Sequence, residues 1–478
     1  MPALECDNAP VSSTSEPGDE RTVASDGVWD REHRALTIGL VMTVAFTAFE
    51  ALAVATVLPV TVKDIGGLAL YGWTFSGFML ANLVGIVAAG NASDVRGPAF
   101  PFTAGVTLFV VGLLVAGVAP TMPILVGGRI VQGLGAGGIA AVSYAAIASG
   151  YPDAAKPRML ALLSSAWVVP GLLGPALAGA IADHLGWRLV FLGLAPPTVV
   201  GAILAIPPLR RLPHERAGET GNRLRLALLL AVGFACALLG LDRGVSWTAV
   251  GALVVGLGIA LPAFRRLVPE GTLRAAPGQP AALAIMGLLG FAFFGAETFV
   301  PLALTDVRGH SATVAGLPLT LGTLSWTAGA WIQAREAPRR SRRSLIAFGL
   351  ALIGLGVGGT AGVLSDRVPL AAVTLAWGVA ALGMGIAYST TALAILEGAP
   401  AGREGESSAA LQLTMTLGTA LGTGIGGALL ASLTSGGGSL HVGIGAAYAA
   451  SLATLLLGLA ATRRLPTAPG SGREAERP

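Results

Sequence analysis

Apolar runs of about 18 to 28 residues recur along nearly the whole chain, each closed by charged residues or by Gly and Pro. They fall at residues 35–58, 71–91, 99–119, 122–149, 157–181 and 187–208, then at 224–241 and 246–264, then at 281–304, 311–333, 344–364, 369–396, 407–432 and 440–461. At ~1.5 Å of rise per residue, a helix of that length crosses the ~30 Å hydrocarbon layer of a bilayer. The order is six, two, six. It predicts an all-α integral membrane protein with fourteen transmembrane helices. The expected division is a disordered polar tail over 1–34, a six-helix bundle over 35–208, linkers and two inserted helices over 209–280, a second six-helix bundle over 281–462 and a second tail over 463–478.

Composition narrows the class. Of 478 residues, 53% are hydrophobic and 12% charged, about half the charge of a soluble domain. The 68 glycines follow no G-X-Y period and point to closely packed membrane helices. The net charge of +4 is spread over short loops, which argues against a nucleic-acid patch. Cys6 and Cys236 have neither metal-ligand nor disulfide spacing, so no metal or cofactor is expected.

Lys and Arg crowd the loops on one side, Arg339, Arg340, Arg342 and Arg343 among them, against about five on the other. Both termini are therefore expected in the cytoplasm, and residues 1–34 lack the basic-then-apolar order of a signal peptide. Arg outnumbers Lys 28 to 2, a composition that fits a GC-rich bacterial source and hence a bacterial cytoplasmic membrane. A membrane enzyme would need a sizeable polar loop or a cluster of acids and histidines; His33, His184, His214, His310 and His441 all lie in loops or near span ends. No enzyme is expected, and no sensor with a soluble output domain.

Few charges lie within the spans. Glu50 sits near the middle of TVAFTAFEALAVATVLP, Arg129 lies in the fourth span and Glu297 in the ninth. A carboxylate at membrane depth costs several kcal/mol unless it is paired, hydrated or protonated, so it marks a functional position by default. Glu50 lies ~12 Å and Arg129 ~10 Å from the same end of their spans, at one depth. Pairing favours the charged acid and burial the neutral one, and a group so balanced can couple protons to a conformational cycle. A permanent structural ion pair is the plainer alternative. Counted from the opposite end, Glu297 lies at roughly 24 Å against 22 Å for Glu50. Aligning Pro59 with Pro301 instead sets it about five residues later than its counterpart, about 140° round the helix, so depth and face give different placements and depth is the one followed.

The two halves carry a degenerate repeat. LPVTVKDIGG from Leu58 parallels VPLALTDVRG from Val300, aligning Pro59 with Pro301 and Asp64 with Asp306, and GNASDVR from Gly90 parallels GAWIQAR from Gly329. In the loop after span two, Asp94 and Arg96 are placed to bond a neighbouring helix end and each other, with Gly90 and Gly97 allowing close approach, as a latch. RIVQGLGAGG from Arg129 and GLLGPALAG from Gly171 are dense in small residues that let helices pack closely, and Pro175 removes one backbone bond and predicts a bendable point. Static close packing explains the glycines equally well.

These stretches resemble the major facilitator superfamily, in its fourteen-helix branch of drug:proton antiporters. GNASDVRG matches the signature G-x-x-x-D-x-x-G-R-[RK] at Gly90, Asp94 and Gly97, with Pro98 and Ala99 where basic residues are usual. Arg129, Gln132 and Gly133 are similar to the helix-four signature. Gly171, Gly174, Pro175 and Gly179 resemble the helix-five antiporter signature, and GWRLVF from Gly186 is also familiar from the branch. In the first helix the branch usually has Asp, and Glu50 stands in its place. The resemblance implies two bundles that rock about a central cavity, with Glu50, Arg129 and Glu297 coupling protons. It implies a substrate site lined by residues such as Phe46, Phe49, Gln132, Tyr144, Met384 and Tyr388.

The expected function is proton-driven export of small amphipathic molecules by a monomer, powered by the proton gradient without a cofactor. A carrier of a lipid or metabolite, or a proton symporter importing a metabolite, is the alternative. The expected partners are the substrate, protons and the lipid bilayer.

Overall fold

In the computed structural model, residues 27–467 are described apart from 32, 153–154, 213–220, 243–245, 401–402 and 436–437. Most of the two expected tails and the middle of the linker after span six therefore lie outside the described residues. Fourteen long helical units follow one another: α1 (Arg34–Ile65), α2 (Tyr71–Arg96), α3 (Ala99–Gly117), α4 (Met122–Gly150), α5 (Arg158–His184), α6 (Arg188–Leu209), α7 (Gly221–Asp242), α8 (Trp247–Leu267), α9 (Gln279–Val307), α10 (Ala312–Glu336), α11 (Arg342–Thr360), α12 (Leu370–Glu397), α13 (Glu404–Ser435) and α14 (Leu440–Thr462). Thirteen of them are long and apolar enough to cross a membrane among the described residues. The exception is α10, which has the length but carries Thr320, Thr323, Ser325, Thr327, Gln333 and Arg335 along its course.

Helices α1–α6 form one bundle and α9–α14 the other, and the two meet where α2 packs on α13 and α5 on α10. The hairpin α7–α8 stands outside both, with α7 against α2 and α13 and α8 packed chiefly on α7. Glycine explains how closely α2 and α4 lie, because a Cβ at Gly133 or Gly137 would stand 2.2 Å from a carbonyl oxygen of α2. The second bundle repeats this contact, with Gly385 of α12 placing a Cβ 2.1 Å from the Trp326 carbonyl oxygen of α10. The duplication is thus expressed as matched backbone contacts, which the weak sequence repeat only hints at.

Proline shapes two helices near the site. In α5 the helix is interrupted at Ala166–Trp167 and continues through Pro175, the expected bendable point. Pro170 accounts for it, since it has no N–H for the Ala166 carbonyl four residues back. In α9 the regular helix ends at Glu297 and the chain finishes in a π-helical turn, Ala303–Val307. Pro301 likewise has no N–H to offer the Glu297 carbonyl.

Hydrogen bonds and ion pairs join the bundles at the end opposite the described termini. Lys63 Nζ of α1 is 3.3 Å from the Thr305 carbonyl and 3.5 Å from Asp306 Oδ1. Tyr71 donates its hydroxyl to the Thr298 carbonyl at 3.0 Å and stacks on Phe299. Asp183, at the end of α5, accepts from the Ala312 and Thr313 backbone N–H groups at 3.1 and 2.9 Å and from the Thr313 hydroxyl at 2.6 Å. Toward the other end α5 and α10 part around a cleft of about 430 Å³ edged by Val168, Leu172, Trp331 and Arg335. The protein is closed at one face and parted at the basic one.

Candidate functional site

Glu50 and Arg129 face each other from the middles of α1 and α4, and both are buried, at 1% and 2% exposure. Arg129 Nη1 is ion-paired and hydrogen-bonded to Glu50 Oε1. Gln132, nearly one turn along α4, accepts from the same Nη1 at 3.2 Å and donates its Nε2 to Glu50 Oε1 at 3.3 Å. Arg129 Nε reaches the Thr74 carbonyl of α2 at 3.2 Å, and the guanidinium lies 4.2 Å from the centre of the Phe78 ring. Three helices therefore hold one cation.

The acid is less fully satisfied than the base. Glu50 Oε2 is buried and has no hydrogen-bond partner among the described residues. A buried charge pair is tolerated when hydrogen bonds complete it, and an unpartnered carboxylate oxygen costs stability. Chemically, Oε2 is where a proton can be added while Oε1 still touches Arg129 and Gln132. Thr74 and Phe78 were not among the expected site residues. Their spacing of four on α2 is the only sequence signal, and it is indistinguishable there from ordinary packing.

Glu297 does not join this pair. It is half-buried at the end of the regular part of α9, with no ion pair or hydrogen bond to any described residue. It follows Phe293 and Phe294 by one helical turn and so shares their face. Both phenylalanines pack on Trp326, at 5.5 and 6.2 Å between ring centres, and Trp326 in turn meets Tyr388 at 5.7 Å. A lone carboxylate thus stands beside an aromatic cluster of the second bundle.

The residues expected to line a cavity divide. Tyr144 is 55% exposed, and Phe46, Phe49 and Tyr388 are half-buried. Met384 is fully buried, so the core of the second bundle claims it and it lines no open space. Gln132 is also fully buried, bound to the ion pair and not turned to an open cavity.

At the basic end, the expected latch between Asp94 and Arg96 is not formed. Arg96 lies 4.8 Å from the centre of the Phe100 ring, and Asp94 has no ion pair or hydrogen bond among the described residues. Around Gly90 there is open space within 4 Å of a would-be Cβ. Gly97 has φ +75°, a conformation that favours glycine, and ends α2. The helix-five glycines serve the contact between bundles. A Cβ at Gly171 would meet Thr323 at 2.2 Å and one at Gly179 would meet Thr313 at 2.6 Å, whereas Gly174 only faces Phe49 at 3.6 Å. Trp187 and Arg188 of the GWRLVF stretch both donate to Asp64 Oδ2, at 3.0 and 2.6 Å, tying the start of α6 to the end of α1.

A sequence profile of the Major Facilitator Superfamily matches residues 38–423. An uncharacterised MFS-type transporter of Mycobacterium tuberculosis is 30% identical over 308 residues, which cover 61% of this chain and 44% of that protein. This chain thus spans less than half of that relative's length. The multidrug resistance protein Stp of the same species is 24% identical over 76% of this chain and 69% of its own. Multidrug resistance protein 3 of Bacillus subtilis is also 24% identical, over 67% and 65%. Among solved structures, a bacterial homologue of the human lysosomal transporter Spinster, inward-facing and unoccupied, superposes with a TM-score of 0.67 at 14% identity, covering 91% of this chain and 98% of that one. A D-xylose–proton symporter gives 0.65 at 14% identity over 92% and 99%.

Proposed function

Because the chain belongs to the Major Facilitator Superfamily, we propose that it is a proton-coupled exporter of small amphipathic molecules in a bacterial cytoplasmic membrane. In this reading both termini are cytoplasmic, and the structure is the state open to the cytoplasm and closed outside. The observation that carries it is the buried Glu50–Arg129 pair with Glu50 Oε2 unpartnered. Relatives named for multidrug resistance support export over import.

In the cycle, a proton from outside reaches Glu50 Oε2 and cancels the negative half of the pair. Arg129 keeps Thr74, Phe78 and Gln132, so the cation stays in place while its attraction to α1 falls. That change in the force between α1 and α4 biases the two-state equilibrium, and loss of the proton to the cytoplasm restores it. A membrane potential adds ~2.3 kcal/mol per charge per 100 mV. Substrate enters from the parted face and meets Glu297 beside Phe294, Trp326 and Tyr388, an arrangement suited to a molecule with an apolar body and a polar or cationic head.

The test is flux of cationic dyes, antibiotics and lipids from proteoliposomes under an imposed pH gradient. Glu50→Gln is expected to abolish the gradient-driven component while leaving folding and substrate binding intact. Undiminished drive in that variant would sink the assignment.

A further inference from the structure

A cleft of about 580 Å³ opens between α8 and the second bundle, beside the contact of α7 with α13, on the basic half of the molecule. Its walls are apolar: Phe234 and Phe264 come from the hairpin, Leu288 and Phe291 from α9, Leu417 from α13 and Leu457 from α14. Because α8 packs chiefly on α7, the cleft separates it from the C-terminal bundle.

Its rim has a different chemistry. The connection from α8 to α9 crosses the mouth and contributes Leu273 and Arg274, while α14 is followed there by Arg464. Arg464 Nη1 donates to the Arg274 carbonyl and, at 3.1 Å, to the Ala275 carbonyl, and the Gly278 N–H returns to the Arg464 carbonyl at 3.2 Å. These bonds hold Ala275 at φ +46°, a left-handed conformation a non-glycine residue rarely adopts. The rim is therefore built, and it leaves the Arg274 guanidinium with no hydrogen bond or ion pair among the described residues. Leu273 beside it is 47% exposed. Arg265 and Arg266, in the last turn of α8, add charge at the same level, against one acid, Glu270, in the connection.

We propose that this cleft binds an anionic phospholipid from the leaflet on the basic side, with its phosphate at Arg274 and Arg464 and an acyl chain between α8 and the second bundle. Apolar walls of this extent exclude free phosphate as the natural occupant, and paired arginines at the rim favour a net negative headgroup over a zwitterionic one. Bound there, the lipid bridges the inserted hairpin and the second bundle. The site is separate from Glu50 and does not depend on the transported molecule.

Native mass spectrometry of the full chain in mild detergent tests this, titrated with phosphatidylglycerol, with phosphatidylcholine of the same chains and with inorganic phosphate. Phosphatidylglycerol is expected to bind preferentially, Arg274→Gln to weaken it about fivefold, and Ala284→Trp, which fills the cleft, to abolish it. Equal retention of phosphatidylcholine, full competition by inorganic phosphate, or unchanged binding in both variants would overturn the proposal.

Discussion

Replacing Asp183 by Ala removes the carboxylate that caps the start of α10 from the opposite bundle. Three acceptor contacts go with it, to the Ala312 and Thr313 backbone N–H groups and to the Thr313 hydroxyl. Ser311 still accepts from the Val314 N–H at 3.4 Å, so α10 keeps a cap of its own and the loss is felt between the bundles. An N-cap acceptor contributes about 1 kcal/mol, and an acid at a helix N-terminus ~0.3–1 kcal/mol more. Asp183 is exposed, and water replaces part of both contributions once the bundles part, so the net effect is about 1 kcal/mol. The closed-to-open ratio at this face should fall about fivefold. Spin labels at the exposed Val118 and Val442, in a chain with Cys6 and Cys236 replaced by Ser, report the separation by double electron–electron resonance. Asp183→Ala should enlarge the long-distance population about fivefold, and Asp183→Asn, which keeps one acceptor oxygen, less. An unchanged distribution in a fully helical Asp183→Ala protein would refute the role of this cap.

Arg129→Ala should cost about 3–5 kcal/mol of stability by leaving Glu50 buried and uncompensated, and should move the pH profile of transport; an unmoved profile would count against the partnership. Arg129→Lys should fail to restore it, because an ammonium cannot span Glu50, Gln132 and the Thr74 carbonyl with one planar fork. Gly179→Val should hinder closure at the closed face, where a Cβ would stand 2.6 Å from Thr313, and the same labels would read a shift to longer distances. Gly90→Ala meets open space and should leave the melting temperature unchanged or slightly raised, in keeping with the intrinsic helix preference of Ala.

The run lengths alone determined the class of fold, because lipid leaves a spanning segment no option but to satisfy its backbone internally. The sequence also singled out Glu50 and Arg129, since charges at that depth are few, and rise per residue placed them at one level. Depth is a one-dimensional quantity that a helix preserves, which is why it could be read without coordinates. Facing is not. Whether Arg129 meets Thr74 and Phe78 and whether Met384 turns to the core depend on helix rotation, whereas Asp94 and Arg96, two residues apart on α2, project to different faces of the same helix and cannot pair. The trans cap at Asp183 joins residues about 130 positions apart and could not be read from local pattern. Proline gave the opposite lesson: Pro170, Pro175 and Pro301 look alike in sequence, yet regular helix runs on through Pro175 while breaks lie beside Pro170 and Pro301. Such choices belong to the tertiary structure, because they are made by what packs against each helix and not by the helix itself.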